Sequence, residues 1–403
     1  MLKDSIRKVV QAQAKELSSF DYGTERENLT NLKPLKGIAL VVSGIRRCGK
    51  STLLHQIRKK SPASFYFNFD DPKAAGFGVT DFERLEQVFI EESGESEYYF
   101  FDEIQNVDKW ELFVRKLTDN KKKVVITGSN ASLLSRELGT RLTGRHLRTE
   151  LFPFSFNEYL QYKKQKPNID SFKNYFEDGG FPEYLLQKKP QLLEELLNDI
   201  IARDIIVRQK LKERGTIKEM AIYLLSNIGN EFSFNSLRKI FGLGSVNTAI
   251  SFVSYLEDSY MLFTLERFDY SIKKRLIAPK KIYCIDNGFA AINSTSFYED
   301  KGRMLENIVF LGLKQKGKKA YYFKEKNECD FVVRKDTKII EAIQVCFELN
   351  EENKDREAKG IIEALEKFKL NTGLILTYNQ EDTLQENGKT IIVKPIWKWL
   401  LKG

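Results

Sequence analysis

The sequence predicts an α/β chain: a helix-covered parallel sheet, a helical stretch, a three-helix domain closed by a hairpin, and a second α/β block. Three observations carry this expectation. Between Ile38 and about Leu151, near-continuous apolar runs alternate with helical patterns, as in a parallel sheet covered on both faces. From about Thr216, three helical patterns lead into two β-rich runs around a basic turn. From Gly302 onward the order is helix, three strands, helix, two strands.

At 403 residues the chain is too long for one core, and a hydrophobic fraction of 42% lets each of several domains bury its own. The expected divisions are an N-terminal helical segment at 1–37, the sheet core at 38–151, a helical lid at 152–212, the three-helix domain at 213–298 and the last block at 299–403. Lys plus Arg number 65 against 56 Asp plus Glu, a net +9 that favours polyanionic partners only weakly. The four cysteines (Cys48, Cys284, Cys329, Cys346) form no C-x-x-C pair, and His55 and His146 are the only histidines, so a zinc site is not expected. No apolar stretch approaches the ~18 residues of a membrane span. The opening "MLKDSIRKVVQAQAKEL" is amphipathic and lacks the apolar core of a signal peptide, so a cytoplasmic protein without a membrane partner is expected.

The strands of the first sheet read "IALVV", "SFYFNF", "YYFFDE" and "KKVVITG". Its helices read "KSTLLHQIRKK", "FERLEQVFIEE", "WELFVRKLTD" and "ASLLSREL". Directly after "IALVV" comes "SGIRRCGKST", which matches G-x-x-x-x-G-K-[ST] at Gly44, Gly49, Lys50 and Ser51. The glycines let the backbone of Gly44, Ile45, Arg46, Arg47, Cys48 and Gly49 wrap a phosphate chain with its N–H groups turned inward, and the helix from Lys50 through Ser51 and Thr52 adds its positive end. Lys50 is expected on the terminal phosphates and Ser51 on Mg²⁺. The ligand this pattern asks for is a nucleoside triphosphate.

About fifty residues on, "YYFFDEIQNVDKW" ends a strand with adjacent carboxylates. Asp102 suits a metal ligand and Glu103 a base that orients water. Side chains alternate along a strand, so the two can act apart only if the strand ends there. A further strand ends "VVITGSNASLL", where Thr127, Ser129 or Asn130 can reach the phosphate or the water; a helix cap serves equally for Ser129 or Asn130. In "RELGTRLTGRHLR", Arg136, Arg141, Arg145 and Arg148 follow. Arg145, then Arg141, are the candidates for an arginine finger on a neighbour's nucleotide, with a salt-bridged surface role as the alternative. Asp70 and Asp71 in "FNFDDP" read first as turn formers.

Together "GIRRCGKSTLL", "YFFDEIQNVDKWE", "VVITGSNASLLSRELGTRLTGR", "LFPFSFNEYL", "GGFPEYLL", "ENIVFLGL" and "ECDFVV" resemble a family of prokaryotic AAA-type P-loop ATPases. Its members join the ATPase to a winged helix and a C-terminal domain of uncharacterised function. The likeness runs through nearly the whole chain in the family's order. It implies ATP and Mg²⁺, and assembly of a homo-oligomer through the arginine finger; it implies no substrate.

The C-terminal block resembles the restriction-endonuclease core, whose active members use a helix Glu, a hairpin Asp and an E-x-K. Glu306 and Asp330 match the first two, but the third reads "IQVCF", with Gln344 for the Glu and Cys346 for the Lys. Glu341 lies on the opposite face of that strand. An amide and a thiol make a poor Mg²⁺ site, so the domain is expected to be nuclease-like in fold and inactive. In the winged helix, the ribbon's Lys273, Lys274, Arg275, Lys280 and Lys281 suit phosphate contacts. The second helix of the pair offers Ser245, Asn247, Thr248 and Ser251 but no base-reading arginine. Sequence-independent DNA contact is expected, with protein docking as the alternative. The leading functional expectation is thus an ATP hydrolase acting on or regulated by nucleic acid. Its rivals are a nucleotide-dependent protein-interaction switch and an ATP-linked metal-dependent nuclease.

Overall fold

The computed structural model describes residues 1–129, 144–211, 214–295 and 300–401. The chain divides into two compact units, Met1–Leu151 and Phe152–Gly403.

In the first unit, β1 (Ala39–Gly44), β2 (Ser64–Asn68), β3 (Tyr98–Asp102), β4 (Lys123–Gly128) and β5 (His146–Leu151) form one parallel sheet in the order β2-β3-β4-β1-β5. Four of these are the apolar runs of the sequence. The fifth, "HLRTEL", is new: as an edge strand it is half exposed and carries too few apolar residues to announce itself. Helices α1 (Lys3–Ser18), α2 (Lys50–Lys59), α3 (Phe82–Ser93) and α4 (Trp110–Asp119) accompany the sheet. Alternate strand residues Phe65, Phe67, Tyr99 and Phe101 point to one face, where Phe69, Phe77, Phe82 and Phe113 close over them. Parallel order brings the carboxyl ends of β1, β3 and β4 to one end of the sheet, and the loops leaving them form the site below.

The second unit opens with α5 (Phe156–Lys163), α6 (Ile169–Asp178), α7 (Pro182–Gln187) and α8 (Gln191–Asp199), the last running on as a π-helical turn at Ile200–Val207. Side chains start these helices where chain direction changes: Ser155 and Glu158 cap each other's backbone N–H groups at α5. Next come α9 (Arg214–Leu225), β6 (Glu231–Phe232), α10 (Phe234–Ile240), α11 (Val246–Asp258), β7 (Leu262–Glu266), α12 (Ile272–Ile277), β8 (Lys280–Cys284) and α13 (Asn287–Asn293). Strands β6, β8 and β7 form an antiparallel sheet in that order. The expected two-stranded ribbon is present, but its turn is itself a short helix, α12, with no buried residue.

The last part holds α14 (Lys301–Gln315), β9 (Lys319–Lys324), β10 (Glu328–Lys335), β11 (Lys338–Val345), α15 (Lys354–Phe368), β12 (Thr372–Thr377), β13 (Asp382–Glu386), β14 (Lys389–Pro395) and α16 (Ile396–Leu401). Its sheet runs β13-β14-β12-β11-β10-β9, antiparallel at both ends and parallel through β11, β12 and β14. Strand β13, "DTLQE", was not expected, because a polar hairpin arm at a sheet edge has no apolar pattern to read.

Candidate nucleotide site and a buried ion-pair cluster

The loop from Gly44 to Gly49 leaves β1 and enters α2 at Lys50. Two of its positions admit no side chain. A Cβ on Gly44 would fall 2.2 Å from the Leu151 carbonyl oxygen, and Gly49 sits at φ +99°. Ile45 and Cys48 are fully buried and pin the loop to the body, so the curvature comes from packing as well as from glycine.

Lys50 is buried, with Nζ 3.1 Å from the Ile45 carbonyl oxygen and 3.3 Å from Glu103 Oε1. Burial opposes its charge, yet the Glu103 carboxylate leads the groups that raise its pKa overall. The converse holds for Glu103: burial is the largest influence and pushes up, but Lys50, Gln105 and Arg46 together outweigh it and hold the carboxyl below its usual range. Strand β3 stops at Asp102, and Glu103 adopts a left-handed conformation at φ 48°. That turn gives the adjacent carboxylates separate directions. Glu103 faces Lys50 and accepts from Gln105, while Asp102 hydrogen-bonds the Ser51 and Thr127 hydroxyls. Burial and the neighbouring Glu103 raise the Asp102 pKa. The Thr127 hydroxyl also accepts from the Glu103 N–H at 2.9 Å, so one side chain on β4 fixes both acids.

Ser129 is 1% exposed, and its hydroxyl has no partner among the described residues. Asn130, Arg136 and Arg141 lie outside the described residues. Arg145 stands apart from the loop. Its carbonyl accepts from Ala39 N–H at the start of β1, about 17 Å along the strand from Gly44. Its guanidinium pairs with Asp119. Asp71 caps the turn at Pro72–Ala74 through the Lys73 N–H, the role its Asp-Pro sequence suggests.

The curved loop, the lysine, the hydroxyl–carboxylate pair and the second carboxylate suit a phosphate chain accompanied by a hard cation. Two residues that no motif flagged also belong to the site. Arg26 and Gln56 brace the loop from behind.

A second constellation lies wholly in the C-terminal unit. Lys281 has a side chain 4% exposed, and its ammonium stands 2.9 Å from Glu306, 2.8 Å from Glu328 and 3.1 Å from Asp330. This corrects its place among the ribbon's phosphate-binding cations, because each of its three donors has a buried or half-buried carboxylate. Lys280 pairs with Glu266 and Arg275 reaches Tyr321, so only Lys273 and Lys274 remain as exposed ribbon cations. Gln344 accepts from the Asp330 N–H at 3.2 Å and donates to Glu357 at 2.8 Å. The Cys346 thiol donates to the Glu348 carbonyl; burial, then Glu357, pushes its pKa up to about 11. An apolar neighbourhood in "KKIYCID" was the one sequence signal that Lys281 faces inward.

Residues 36–160 match the family described as AAA domain, residues 169–296 a domain of unknown function (DUF8612), and residues 301–399 another (DUF4143). An uncharacterised protein of Methanocaldococcus jannaschii is 36% identical over 395 residues, covering 90% of this chain and 88% of its own length. A Haemophilus influenzae protein, also uncharacterised, is 29% identical over 387 residues, covering 90% of this chain and 94% of its own. AMPPCP-bound DnaA from Aquifex aeolicus aligns with 62% of this chain and 88% of its own at 15% identity and a TM-score of 0.26, a level at which nothing transfers. Sharing full-length similarity with the archaeal protein and carrying the AAA domain at its head, the chain belongs to the AAA-type P-loop ATPase family.

Proposed function

We propose that this chain is a Mg²⁺-dependent ATP hydrolase whose nucleotide site is the Gly44–Thr52 loop with Asp102 and Glu103. The observation that carries the reading is the meeting of Lys50 and Glu103 at 3.3 Å beside the Ser51–Asp102 pair, all at the carboxyl end of the sheet. Backbone N–H groups of Gly44 to Gly49 and the head of α2 take the phosphates. Lys50 leaves Glu103 for the terminal phosphates, which frees that carboxylate to receive a proton from the attacking water. The water oxygen bonds to the γ-phosphorus as the bridging β–γ bond breaks. Ser51 and Asp102 would hold Mg²⁺, which supplies charge neutralisation when bound. Thr127 keeps Asp102 and the turn at Glu103 in register. Arg145, tied to Asp119 at the far end of the strands, would serve as a finger only toward another copy.

The output is proposed to involve nucleic acid. The order helix, strand, helix, helix, ribbon in residues 214–284 supports a winged-helix reading, and Lys273 and Lys274 offer non-specific phosphate contacts. A protein-docking reading has its own support. Ile240, Val246 and Ile250 on α10 and α11 are 52%, 36% and 42% exposed, an apolar face that base edges do not ask for. The C-terminal sheet with α14 supports a restriction-endonuclease-like fold. There Lys281 occupies the carboxylates of Glu306, Glu328 and Asp330 and Cys346 stays a thiol, which favours a domain without cleavage. Steady-state ATP turnover with duplex or single-stranded DNA across salt separates the two outputs. Stimulation that fades steeply with salt supports nucleic acid, and turnover indifferent to DNA removes it in favour of a protein partner.

A further inference from the structure

Arg26 is only 3% exposed although it precedes every strand of the sheet and belongs to no part of the loop motif. Its Nη1 donates to the Cys48 carbonyl oxygen at 2.7 Å. Two features let it come so close. Gly49 has no side chain, and a Cβ there would stand 3.1 Å from Arg26 Nη1. Gln56, on the helix that the loop begins, holds the segment that delivers the arginine. Its Nε2 donates to the carbonyls of Tyr22 and Thr24 at 2.8 Å each, and its Oε1 accepts from the Arg26 N–H at 3.3 Å.

We propose that Arg26 is a positioning residue for the phosphate loop: it orients the Cys48–Gly49 peptide so that the Gly49 N–H faces the phosphates, and it places a fixed positive charge behind them. This rests on reading Gly44–Ser51 as the phosphate site. The peptide unit is planar and trans, so its C=O and N–H point in opposite directions. Holding the Cys48 oxygen outward against the guanidinium turns the Gly49 N–H inward. Glycine has little preference of its own, so that orientation needs an outside restraint. The guanidinium charge is also felt across the loop. Burial raises the pKa of the Cys48 thiol, and Lys50 followed by Arg26 draws it back.

The test is calorimetric titration of Mg-ATP and of inorganic tripolyphosphate, which has no base or sugar, into the full chain and its Arg26→Met and Arg26→Lys variants. Arg26→Met weakens both ligands by the same factor, roughly 10- to 100-fold for a lost charged hydrogen bond, and Arg26→Lys recovers part of it. Loss confined to ATP would mean that Arg26 addresses the nucleoside, and unchanged affinity for both would mean that it is packing alone; either overturns the proposal. Should Arg26→Met not fold, Gln56→Met carries the test, since it loosens the latch and leaves the guanidinium. Wild-type tripolyphosphate affinity in Gln56→Met counts against the proposal. Lys50→Ala distinguishes the two levels. If it still binds tripolyphosphate normally, the phosphate site itself is misassigned. If it loses binding while Arg26→Met does not, only the role of Arg26 falls.

Discussion

Burial opposes the charge of both Lys50 and Glu103, and for each the other is the foremost group that supports it. That mutual dependence separates the effects of two substitutions. Lys50→Ala removes the ammonium that nucleotide would draw away, and nucleotide affinity falls tenfold or more, as for a lost charged contact. Glu103→Gln keeps the shape and removes the proposed base. Turnover then falls roughly 10²- to 10⁴-fold, the range of a general base, while ATP still binds. Affinity should hold or improve, since Lys50 no longer has a carboxylate competing with phosphate. Fluorescent-nucleotide binding and phosphate release, measured on one preparation, check both. Comparable turnover in Glu103→Gln and the unaltered chain would remove Glu103 from the base role. At this scale the shape of the Gly44–Gly49 loop was most legible, because so tight a passage from strand to helix demands small residues at fixed spacing. The sequence was silent on Arg26, whose contribution depends on where a loop with no pattern comes to rest.

Among the elements, β8 shows how a strand can mislead. Read along the chain, "KK" beside a basic turn resembles a surface for phosphate. In the fold, alternation sends Lys280 toward Glu266 and Lys281 into the carboxylates of α14 and β10. Burial works against the Lys281 charge, and Glu306 leads the groups that raise its pKa well above the usual lysine value. Removing one partner of such a buried group leaves the others uncompensated, at about 3–5 kcal/mol. Lys281→Met should therefore destabilise the C-terminal unit by that order in urea unfolding. Adding Asp330→Asn should return part of the loss by reducing the unpaired charge. A change under about 1 kcal/mol in the single variant would show that the cluster is not held as described. The same logic explains which elements the sequence hid. Strands β1, β3 and β4 lie inside their sheet, are buried almost throughout and read as apolar runs; β2, at an edge, still shows through the alternately buried Phe65 and Phe67, whereas β5 and β13 are edge strands whose polar residues are tolerated. Helix α12 buries nothing, so its few residues had no periodicity to display.

Across the whole molecule, pH should act on the two units in opposite senses. In the C-terminal unit, burial pushes the Asp286 carboxyl up to about 7, although the N–H groups of Gly180, Phe289 and Gly288 resist; the Asp178 carboxylate adds to the rise. Asp330 is raised in the same way, by burial and then Glu306, against Lys281 and the Val345 N–H. A carboxyl with a folded pKa above its unfolded one favours the folded state while protonated. From about pH 4 up to 7 the unfolded chain has released the proton that the folded chain retains, so this stabilisation is lost as pH rises through that window. In the N-terminal unit His55, packed against the rings of Phe20 and Tyr66, is lowered to about 4 by burial and then Arg58. Its stabilisation is complete above the unfolded value near 6.5 and drains as pH falls toward 4. Asp102, raised by burial, opposes that loss in part. Hydrogen exchange followed by mass spectrometry, corrected for intrinsic rates, reads each unit from its own peptides. Between pH 8 and pH 5, protection in peptides spanning residues 280–293 should increase by the equivalent of a few kcal/mol, the scale of one buried carboxyl pushed up to about 7. Asp286→Asn keeps an oxygen for the backbone donors and should flatten most of that response. His55→Phe should flatten the acid-side loss in the peptides of α2. Protection in 280–293 that stayed constant across this range, or that fell toward pH 5, would mean that Asp286 and Asp330 are already ionised within the fold, and the packing described around them would be wrong.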